Sequence, residues 1–226
     1  TTTSLVGHIF KQALKDGNWQ FRETKIQQVI VAGNIGLPLT AAVEQITPAT
    51  AVVLEVSSYQ LESIESFRPQ IAAVINVTPD HLGRHKTMET YAKTKARIYQ
   101  NQVWDDYTVL NYDDEYCRNM AVDVRSQVVF CSQTKKLREG VFFRDSGLRI
   151  KYPPDTDFKL KAKILLPGKH NLENVLISTA VCWAAQINPE LIVKSIATFP
   201  GVKHRIEYVK TIKKVKVNQI QPLFKK

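Results

Sequence analysis

Short apolar runs alternate with stretches of helical period along the first half of the chain. Runs of apolar, largely β-branched side chains with the length of buried strands occupy residues 28–32, 51–56 and 71–76. A helical spacing of apolar positions follows each run, over residues 39–46, 59–67 and 88–102. Because this alternation is typical of a parallel sheet covered on both faces, it predicts an α/β domain with a mostly parallel sheet flanked by helices.

The same pattern extends to both sides of this region. Residues 1–16 have apolar side chains at helical spacing before Gly17, which predicts an amphipathic opening helix. Further along, strands are expected at 107–110 and 127–131, and helices at 168–186, starting near Asn171, and at 189–199. Residues 141–150 are typical of a small β-hairpin that turns at Asp145-Ser146-Gly147.

The distribution of charge argues against a nucleic-acid binder. The 226 residues carry a formal net charge of +10. Six lysines and no acid lie between Lys210 and Lys226, which leaves an ordinary +4 for the rest of the chain. No basic stripe with interleaved aromatic residues and no zinc-finger spacing is present.

The remaining composition favours a cytoplasmic protein without a membrane partner. No apolar run approaches the roughly 20 residues of a membrane span. The polar, uncharged residues 1–4 do not resemble a signal peptide. Cys117, Cys131 and Cys182 lack metal-ligand spacing and indicate reduced thiols. We expect a monomer.

Polar side chains follow each of the first three predicted strands. They are found in the segments 33–36, 55–58 and 76–81. In sheets of this class, ligands bind beyond the carboxyl ends of the strands. The sequence therefore predicts that the candidate site lies where these three segments meet.

Two of these segments contain candidate metal ligands. Glu55 lies within an otherwise apolar strand, where an ionised carboxylate is costly unless it meets a cation or hydrogen-bond donors. It is either a Mg²⁺ ligand or a strand-end carboxylate that reaches solvent. Asp80 and His81 follow the third strand, and a neutral imidazole beside an acid can bind a metal or serve a structural role.

The helix after the third strand contains Lys93, Lys95 and Arg97, a charge run that usually forms a solvated face. A second interpretation applies to Lys95, because a desolvated lysine near a metal can lose its proton and react with CO₂ to form a carbamate ligand. His85, just before this helix, is expected to be solvated.

Two later segments are candidates for nucleotide contacts. Asn171 and Asn174 are three residues apart at the start of a predicted helix and share one of its faces. Their amides could contact the edge of an adenine ring, or Asn171 could serve only as the helix cap. Arg205 could bind phosphate in bidentate fashion or remain an exposed arginine.

Taken together and in this order, the motifs resemble those of the Mur ligases, ATP-dependent amide-forming enzymes. The most specific is Leu54-Glu-Val-Ser-Ser-Tyr-Gln-Leu-Glu62, which is similar to the form found in the D-glutamate-adding members. Asn76-Val-Thr-Pro-Asp-His-Leu82, with Arg84 and His85 after it, also matches. The other matching segments are 33–39, 91–98, 166–174 and 199–207.

The resemblance implies roles for individual residues. It assigns metal binding to Glu55, His81 and Lys95, with Lys95 carbamylated. It assigns catalysis to Lys95, His81 and Arg205. The ATP-side residues are Thr1, Asn34, His170, Asn171 and Asn174, and Ser57 and Gln60 lie on the side of the sugar-nucleotide substrate. The implied cofactors are ATP and Mg²⁺.

The chain also departs from the family pattern. The phosphate loop expected before the first helix is not in the sequence, and Gly83 stands where an aspartate is usual. We expect residues 1–209 to form the central ATP-binding domain without that loop, and residues 210–226 to be a poorly ordered basic tail. The family's N-terminal and C-terminal domains have no counterpart in these 226 residues.

The implied reaction joins D-glutamate to UDP-N-acetylmuramoyl-L-alanine through an acyl phosphate, in peptidoglycan synthesis. We expect these 226 residues alone to be weakly active or inactive. The alternatives are a non-catalytic nucleotide-binding remnant, or another Mur or folylpolyglutamate-type ligase.

Overall fold

The fold is described from a computed structural model. It describes residues 1–34, 36–80, 82–145, 147–152, 156–161, 168–202, 207–212 and 215–219. Among the residues predicted to form the site, His81 and Arg205 lie outside these ranges. Ser146, at the tip of the predicted hairpin, lies outside them as well.

The first helix, α1, runs from Thr2 to Asp16, as its apolar spacing predicts. It ends at Gly17, whose φ of +81° is readily adopted by glycine and whose N–H donates to the Leu14 carbonyl. Leu5 and Ile9 on its apolar face are fully buried. This face lies in one core cluster with side chains of the helices α6 (Lys169–Ala184) and α7 (Pro189–Thr198).

The strands form a split sheet. One part is the parallel pair β3 (Gln28–Gly33) and β4 (Thr50–Glu55). The other part has six strands in the order β10-β9-β8-β7-β6-β5. Their bounds are β5 Ile71–Val74, β6 Tyr107–Asn111, β7 Gln127–Ser132, β8 Gly140–Arg144, β9 Gly147–Tyr152 and β10 Thr156–Leu160.

Strand direction divides the six-stranded part in two. Strands β5 to β8 pair in parallel, whereas β8, β9 and β10 pair antiparallel. The predicted hairpin is confirmed as the β8–β9 pair, with Arg144 opposite Gly147. The mostly parallel sheet flanked by helices is confirmed, with β10 as an addition that the sequence did not predict.

Helices cover both faces of the six-stranded part. On one face, α6 packs on buried residues of β6 to β9, including Val109, Val129 and Val141. On the other face, α4 (Met88–Ala96) and α5 (Glu115–Met120) cover Val74 and Leu110. The three cysteines are free and buried, in agreement with their prediction as reduced thiols.

Several predicted helices are shorter than expected. Residues 39–46 form two 3₁₀ turns, Leu39–Ala41 and Val43–Gln45, and the stretch 59–67 contains only the short helix α2 (Ser58–Leu61). The helix expected at 88–102 ends at Ala96 and continues as the 3₁₀ turn Arg97–Tyr99. In the first of these stretches Ala42 is buried but Val43 and Ile46 are exposed, so the apolar spacing there does not mark a helix face packed on the sheet.

Four small elements were not predicted. They are the hairpin of β1 (Gln20–Phe21) and β2 (Thr24–Lys25), the helix α3 (Leu82–His85), the helix α5 and the strand β10. After α7 the structure has an antiparallel pair, β11 (Glu207–Ile212) and β12 (Val215–Gln219). Val215-Lys216-Val217 has the alternating pattern of a strand.

An ion-pair cluster shows that the two parts of the sheet run in the same direction. Asp106, directly before β6, accepts hydrogen bonds from Arg68, shortly before β5, at 2.8 and 3.2 Å. Arg22, between β1 and β2, also donates to Asp106, at 3.1 Å. Because the β1–β2 hairpin leads directly into β3, the amino ends of β3, β5 and β6 lie at one edge of the molecule.

None of the helices within the described part of the chain has both the length and the apolar character needed to cross a membrane.

Candidate functional site

The carboxyl ends of β5 and β6 are joined to the first turn of α6. The Asn111 amide, at the end of β6, donates to the carbonyl of Ile75 just after β5, at 3.0 Å. The same amide donates to the Glu173 carboxylate at 2.5 Å. These contacts place the start of α6 over the carboxyl edge of the sheet, where ligands bind in folds of this class.

The first turn of α1 lies at the same edge and connects α6 with β4. The Thr3 hydroxyl donates to Glu55 Oε2 at 3.1 Å, and the Thr2 hydroxyl donates to Asn174 Oδ1 at 2.7 Å. Glu55 is thus a half-buried carboxylate at the end of β4, next to the amino end of a 15-residue helix. The leading N–H groups of such a helix and its dipole favour anions, and phosphate is the common case.

A tight turn after β3 holds the backbone beside Glu55. The Asn34 N–H donates to the Glu55 carbonyl at 2.8 Å. Gly33 has a φ of +117°, and a Cβ atom built on it would lie 2.1 Å from the same carbonyl oxygen. Only glycine therefore allows this approach. The structure places Asn34 next to Glu55, with its side chain exposed toward the edge.

Ser57 and Gln60 form a capping box at the start of α2. The Ser57 hydroxyl accepts from the Gln60 N–H at 3.4 Å, and the Gln60 side chain accepts from the Ser57 N–H at 2.9 Å. Both residues follow β4 directly. Their mutual hydrogen bonds explain why the pair begins a helix here, and Gln60 remains exposed.

Lys95 contacts the end of β5 from the last turn of α4. Its Nζ donates to the Asn76 carbonyl at 2.7 Å and lies 4.6 Å from the centre of the Tyr91 ring. Lys95 is partly buried, whereas Lys93 on the same helix is exposed. Within the charge run noted in the sequence, Lys93 is thus solvated, whereas Lys95 is partly withdrawn from solvent.

The helix that carries the two asparagines begins earlier than expected. Gly168 is the N-cap of α6, and Asn171 lies within the first turn, so the proposed capping role of Asn171 is wrong. Asn174 Nδ2 donates to Asn171 Oδ1 at 3.4 Å, which confirms that the two amides share a helix face. The His170 side chain is 98% exposed at the same helix end.

His85 is buried, contrary to its prediction as a solvated residue. Only 3% of it is exposed. Its Nε2 lies 3.0 Å from the Ser58 hydroxyl, and its ring stacks on Tyr91 with centroids 4.8 Å apart. Because Tyr91 also underlies Lys95, these contacts connect α2 with the helix that carries Lys95.

The described residues provide hard oxygen donors for a cation. Glu55 and the Thr3 hydroxyl suit Mg²⁺, which takes oxygen ligands and is usually bound by one or two carboxylates together with water and phosphate oxygens. Within the described ranges, no three His, Cys, Asp or Glu residues are grouped closely enough to hold a metal alone. The described residues would therefore hold Mg²⁺ together with further ligands, such as water, phosphate or residues outside the described ranges.

Four residues at this edge were not singled out from the sequence. Nothing in the sequence distinguishes Thr2 and Thr3 except their position at the start of a predicted helix. Asn111, in contrast, is a polar residue directly after a predicted strand, which is the pattern that made Glu55 a candidate. Glu173 lies between the two recognised asparagines. Burial raises the pKa of the Glu173 carboxyl, although His170 opposes this, and nearby Asp114 raises it further.

A family model described as "Mur ligase middle domain" matches residues 1–182. The chain belongs to the Mur ligase family. Members of this family are ATP-dependent ligases, which agrees with a site made of a helix amino end and a strand-end carboxylate.

Curated relatives of this Mur ligase domain include two enzymes named UDP-N-acetylmuramoylalanine–D-glutamate ligase. One, from Clostridioides difficile (strain 630), is 40% identical over 215 residues, which is 95% of this chain and 45% of that protein. The other, from Koribacter versatilis (strain Ellin345), is 42% identical over 216 residues, with the same two shares. The chain thus spans less than half the length of the relatives it matches.

Solved structures support the fold. A pseudomurein peptide ligase type C from Methanothermus fervidus has a TM-score of 0.65 at 14% identity, covering 98% of this chain and 52% of that one. A UDP-N-acetylmuramoyl-L-alanyl-D-glutamate–2,6-diaminopimelate ligase has a TM-score of 0.61 at 18% identity, covering 88% and 51%. At these identities the likeness establishes the architecture.

Proposed function

We propose that this chain is the ATP- and Mg²⁺-binding part of a ligase that joins D-glutamate to UDP-N-acetylmuramoyl-L-alanine. The main observation behind the proposal is that the first turn of α1 donates hydrogen bonds both to Glu55 and to Asn174. The specificity for D-glutamate rests on the names of relatives that are about 40% identical.

The first turn of α1 is the proposed phosphate-binding element. Its N-cap residue is Thr1, and its Thr3 hydroxyl donates to Glu55 at the end of β4, whereas its Thr2 hydroxyl donates to Asn174 of α6. The leading N–H groups of such a helix favour phosphate. When bound there, Mg²⁺ would neutralise charge that develops on the phosphates during transfer. Glu55 and Thr3 would hold it, and His81, outside the described residues, is a further proposed ligand.

The start of α6 is the proposed adenine side of the site. Asn171 and Asn174 present amide donors and acceptors on one helix face, and the exposed His170 ring lies at the same end. Asn174 accepts a hydrogen bond from the Thr2 hydroxyl, which joins the proposed adenine side to the proposed phosphate side. Arg205, outside the described residues, is proposed to contact the phosphates.

Lys95 is proposed to act as a carbamate. In the structure its Nζ donates a hydrogen bond to the Asn76 carbonyl at the carboxyl edge of the sheet. A carbamate formed on this nitrogen would therefore add an anionic oxygen ligand at that edge. Ser57 and Gln60, exposed after β4, are proposed to contact the sugar-nucleotide substrate. In this scheme ATP phosphorylates the substrate carboxylate, and the amine of D-glutamate displaces phosphate.

We further propose that the protein acts in peptidoglycan synthesis, as a cytoplasmic monomer. Since the chain spans less than half of its relatives, we expect it alone to release phosphate only at background rate.

A chimera tests the proposed activity. Residues 1–209 would replace the matching stretch of the Clostridioides difficile relative, and phosphate release would be measured with ATP and both substrates. We expect release that requires both D-glutamate and UDP-N-acetylmuramoyl-L-alanine. In this background, Glu55→Gln should lower the rate by about 10²- to 10³-fold, because transition-state charge loses a stabilising group.

Matched variants control for folding. Glu44→Gln changes an exposed carboxylate on a 3₁₀ turn and should leave the rate unchanged. Lys95→Ala should abolish phosphate release, whereas Lys93→Ala on the solvated side of α4 should not. Because the domain that binds the amino acid in this family would come from the relative, the chimera tests the ATP-dependent step and not the choice of amino acid. A folded chimera with no release would indicate a non-catalytic remnant.

A further inference from the structure

His85 is a buried imidazole that the proposed function does not use. Only 3% of it is exposed, although its neighbours in the chain, Arg84 and Lys86, are both exposed. A buried polar ring is costly unless its nitrogen atoms find partners. Those partners come from other elements of the fold, and the contacts of the ring lead from α2 to Lys95.

Both edges of the His85 ring meet residues of the α2 region. Nε2 lies 3.0 Å from the Ser58 hydroxyl, and Nδ1 lies 3.8 Å from a carboxylate oxygen of Glu62. A carboxylate near Nδ1 favours the tautomer with the proton on that nitrogen, so Nε2 accepts from the hydroxyl. Arg84 donates to the same carboxylate at 2.7 Å and helps to hold it in place. These contacts fix the orientation of the ring.

The face of the His85 ring stacks on Tyr91 of α4. The ring centroids are 4.8 Å apart, and the planes are inclined by 26°. Tyr91 and Lys95 are four positions apart and share one face of the helix, and the Lys95 Nζ lies 4.6 Å from the centre of the Tyr91 ring. The Tyr91 ring therefore supports the Lys95 side chain, and a change in its orientation would move the amine.

The turn after His85 has an unfavourable backbone conformation. The Thr87 N–H donates to the His85 carbonyl at 2.8 Å across a single residue, Lys86, whose φ is +65°. Three-residue turns with a positive φ are rare and strained, and such strain persists only where the surrounding structure imposes it. Thr87 is the N-cap of α4, so this turn connects α3 directly with α4. The short connection brings the His85 ring to the start of α4, where Tyr91 lies.

We infer that His85 is a positioning residue for Lys95. Its ring, oriented by Ser58, holds Tyr91 in the orientation that keeps the Lys95 amine bonded to the Asn76 carbonyl at the carboxyl edge. His85 contacts neither substrate nor metal in this scheme and acts only through Tyr91. The inference deepens the proposed function and rests on it in one respect, the catalytic role of Lys95.

Competitive acetylation of lysines tests the positioning in the 226-residue chain itself. A brief pulse of acetic anhydride, analysed by mass spectrometry, compares Lys95 with the exposed Lys93 of the same helix. His85→Leu removes the aromatic plane but keeps an apolar side chain, and we expect it to raise the Lys95-to-Lys93 labelling ratio about tenfold. His85→Phe keeps an aromatic ring against Tyr91, so its ratio should stay within about threefold of the parent value.

His8→Leu is the matched control. The His8 ring also lies beside a hydroxyl, 3.2 Å from Thr198, and beside an aromatic ring, 5.4 Å from Phe199, but between α1 and α7. This variant should leave the labelling ratio unchanged. If His85→Leu does not fold, Ser58→Ala takes its place, because it removes only the hydroxyl that orients the ring. We expect Ser58→Ala to raise the ratio about threefold.

The chimera described above gives the second readout, which separates this inference from the proposed role of Lys95. There His85→Leu should lower kcat for phosphate release about 30-fold while changing the KM for ATP less than about twofold, because the amine is misplaced and nucleotide contacts are kept. His85→Phe should recover kcat to within about threefold of the parent.

Three results would overturn the inference. The first is an unchanged labelling ratio in His85→Leu, or in Ser58→Ala where His85→Leu does not fold. The second is an equal rise in His85→Phe and His85→Leu. The third is a parent-like kcat in the His85→Leu chimera when Lys95→Ala abolishes phosphate release. A raised labelling ratio in His85→Leu together with a fully active Lys95→Ala chimera would instead support the positioning and refute the catalytic role of Lys95.

Discussion

At the residue scale, Asp106 is the charged group whose environment is most clearly defined. Its side chain is fully buried and accepts hydrogen bonds from Arg68, Arg22 and the Val103 N–H. Burial alone would raise the pKa of this carboxyl, but the hydrogen bonds and charges of the arginines outweigh it and hold the pKa below its usual range. The ionised form is therefore the stable one in the folded protein.

We expect Asp106→Asn to lower the free energy of unfolding by about 3 kcal/mol at pH 7, because two arginines lose a buried partner. A lowered folded-state pKa contributes stability that is present above the unfolded value of about 3.9 and is lost as the pH falls through the folded value. Urea unfolding at pH 7 and at pH 3 should show the difference between variant and parent shrinking at the lower pH.

Asp105→Asn is the matched control. Asp105 contacts the same two arginines, but its side chain is 36% exposed, so we expect a loss of less than about 1 kcal/mol. Equal losses for the two variants, or a loss for Asp106→Asn that persists unchanged at pH 3, would contradict this account of the cluster.

Single residues also show the limit of inference from sequence. Glu55 was recognisable because an acid in an apolar strand requires an explanation, and the structure provides one in Thr3 and in its position at the edge. The burial of His85 was not recognisable. It depends on Ser58 and Tyr91, which α2 and α4 bring together from separate parts of the chain.

At the element scale, the turn after β3 determines where Glu55 lies. Gly33→Ala would place a methyl group against the Glu55 carbonyl at a backbone φ that alanine rarely adopts. We expect a loss of about 3 kcal/mol in unfolding free energy and weaker binding of Mn²⁺–ATP, since the end of β4 must move. Thermal unfolding and a metal titration would measure the two effects.

Gly83→Ala is the control for Gly33→Ala. Gly83 lies in α3, its φ is not positive, and no atom lies within 4 Å of the position that a Cβ would take. Alanine there should leave stability unchanged or raise it by up to about 1 kcal/mol. A loss at Gly83 comparable to that at Gly33 would show that the close approach to Glu55 is not the cause.

The predictions of strands and helices are correct where the local sequence pattern determines the structure. The five strands predicted singly and the predicted hairpin are all present, because apolar β-branched runs have few other stable positions than a buried sheet. The predictions of helices at 39–46 and 59–67 are wrong. Apolar residues at helical spacing also occur in the two 3₁₀ turns and in the single capped helical turn that the structure has there. The start of α6 was misplaced because Asn171 is a good cap residue, whereas the actual cap is Gly168.

At the scale of the whole molecule, strand pairing could not be predicted. The sequence indicated a parallel sheet, but not that β3 and β4 pair with each other while β5 to β10 form a separate set of six strands. The convergence of α1 and α6 at the carboxyl edge likewise connects residues 172 positions apart, Thr2 and Asn174. The family motifs had pointed to Asn174 but not to Thr2.

The central claim is that one edge of the molecule binds a metal–nucleotide complex. Paramagnetic broadening of backbone amide signals by Mn²⁺ in the presence of ATP measures this directly, because Mn²⁺ takes the same oxygen ligands as Mg²⁺. We predict that the signals of Thr3, Glu55 and Asn174 disappear first and return with excess Mg²⁺, while those of Arg68 and Asp106 at the opposite edge remain sharp. Broadening centred on Arg68 and Asp106, or spread evenly over the protein, would contradict the account.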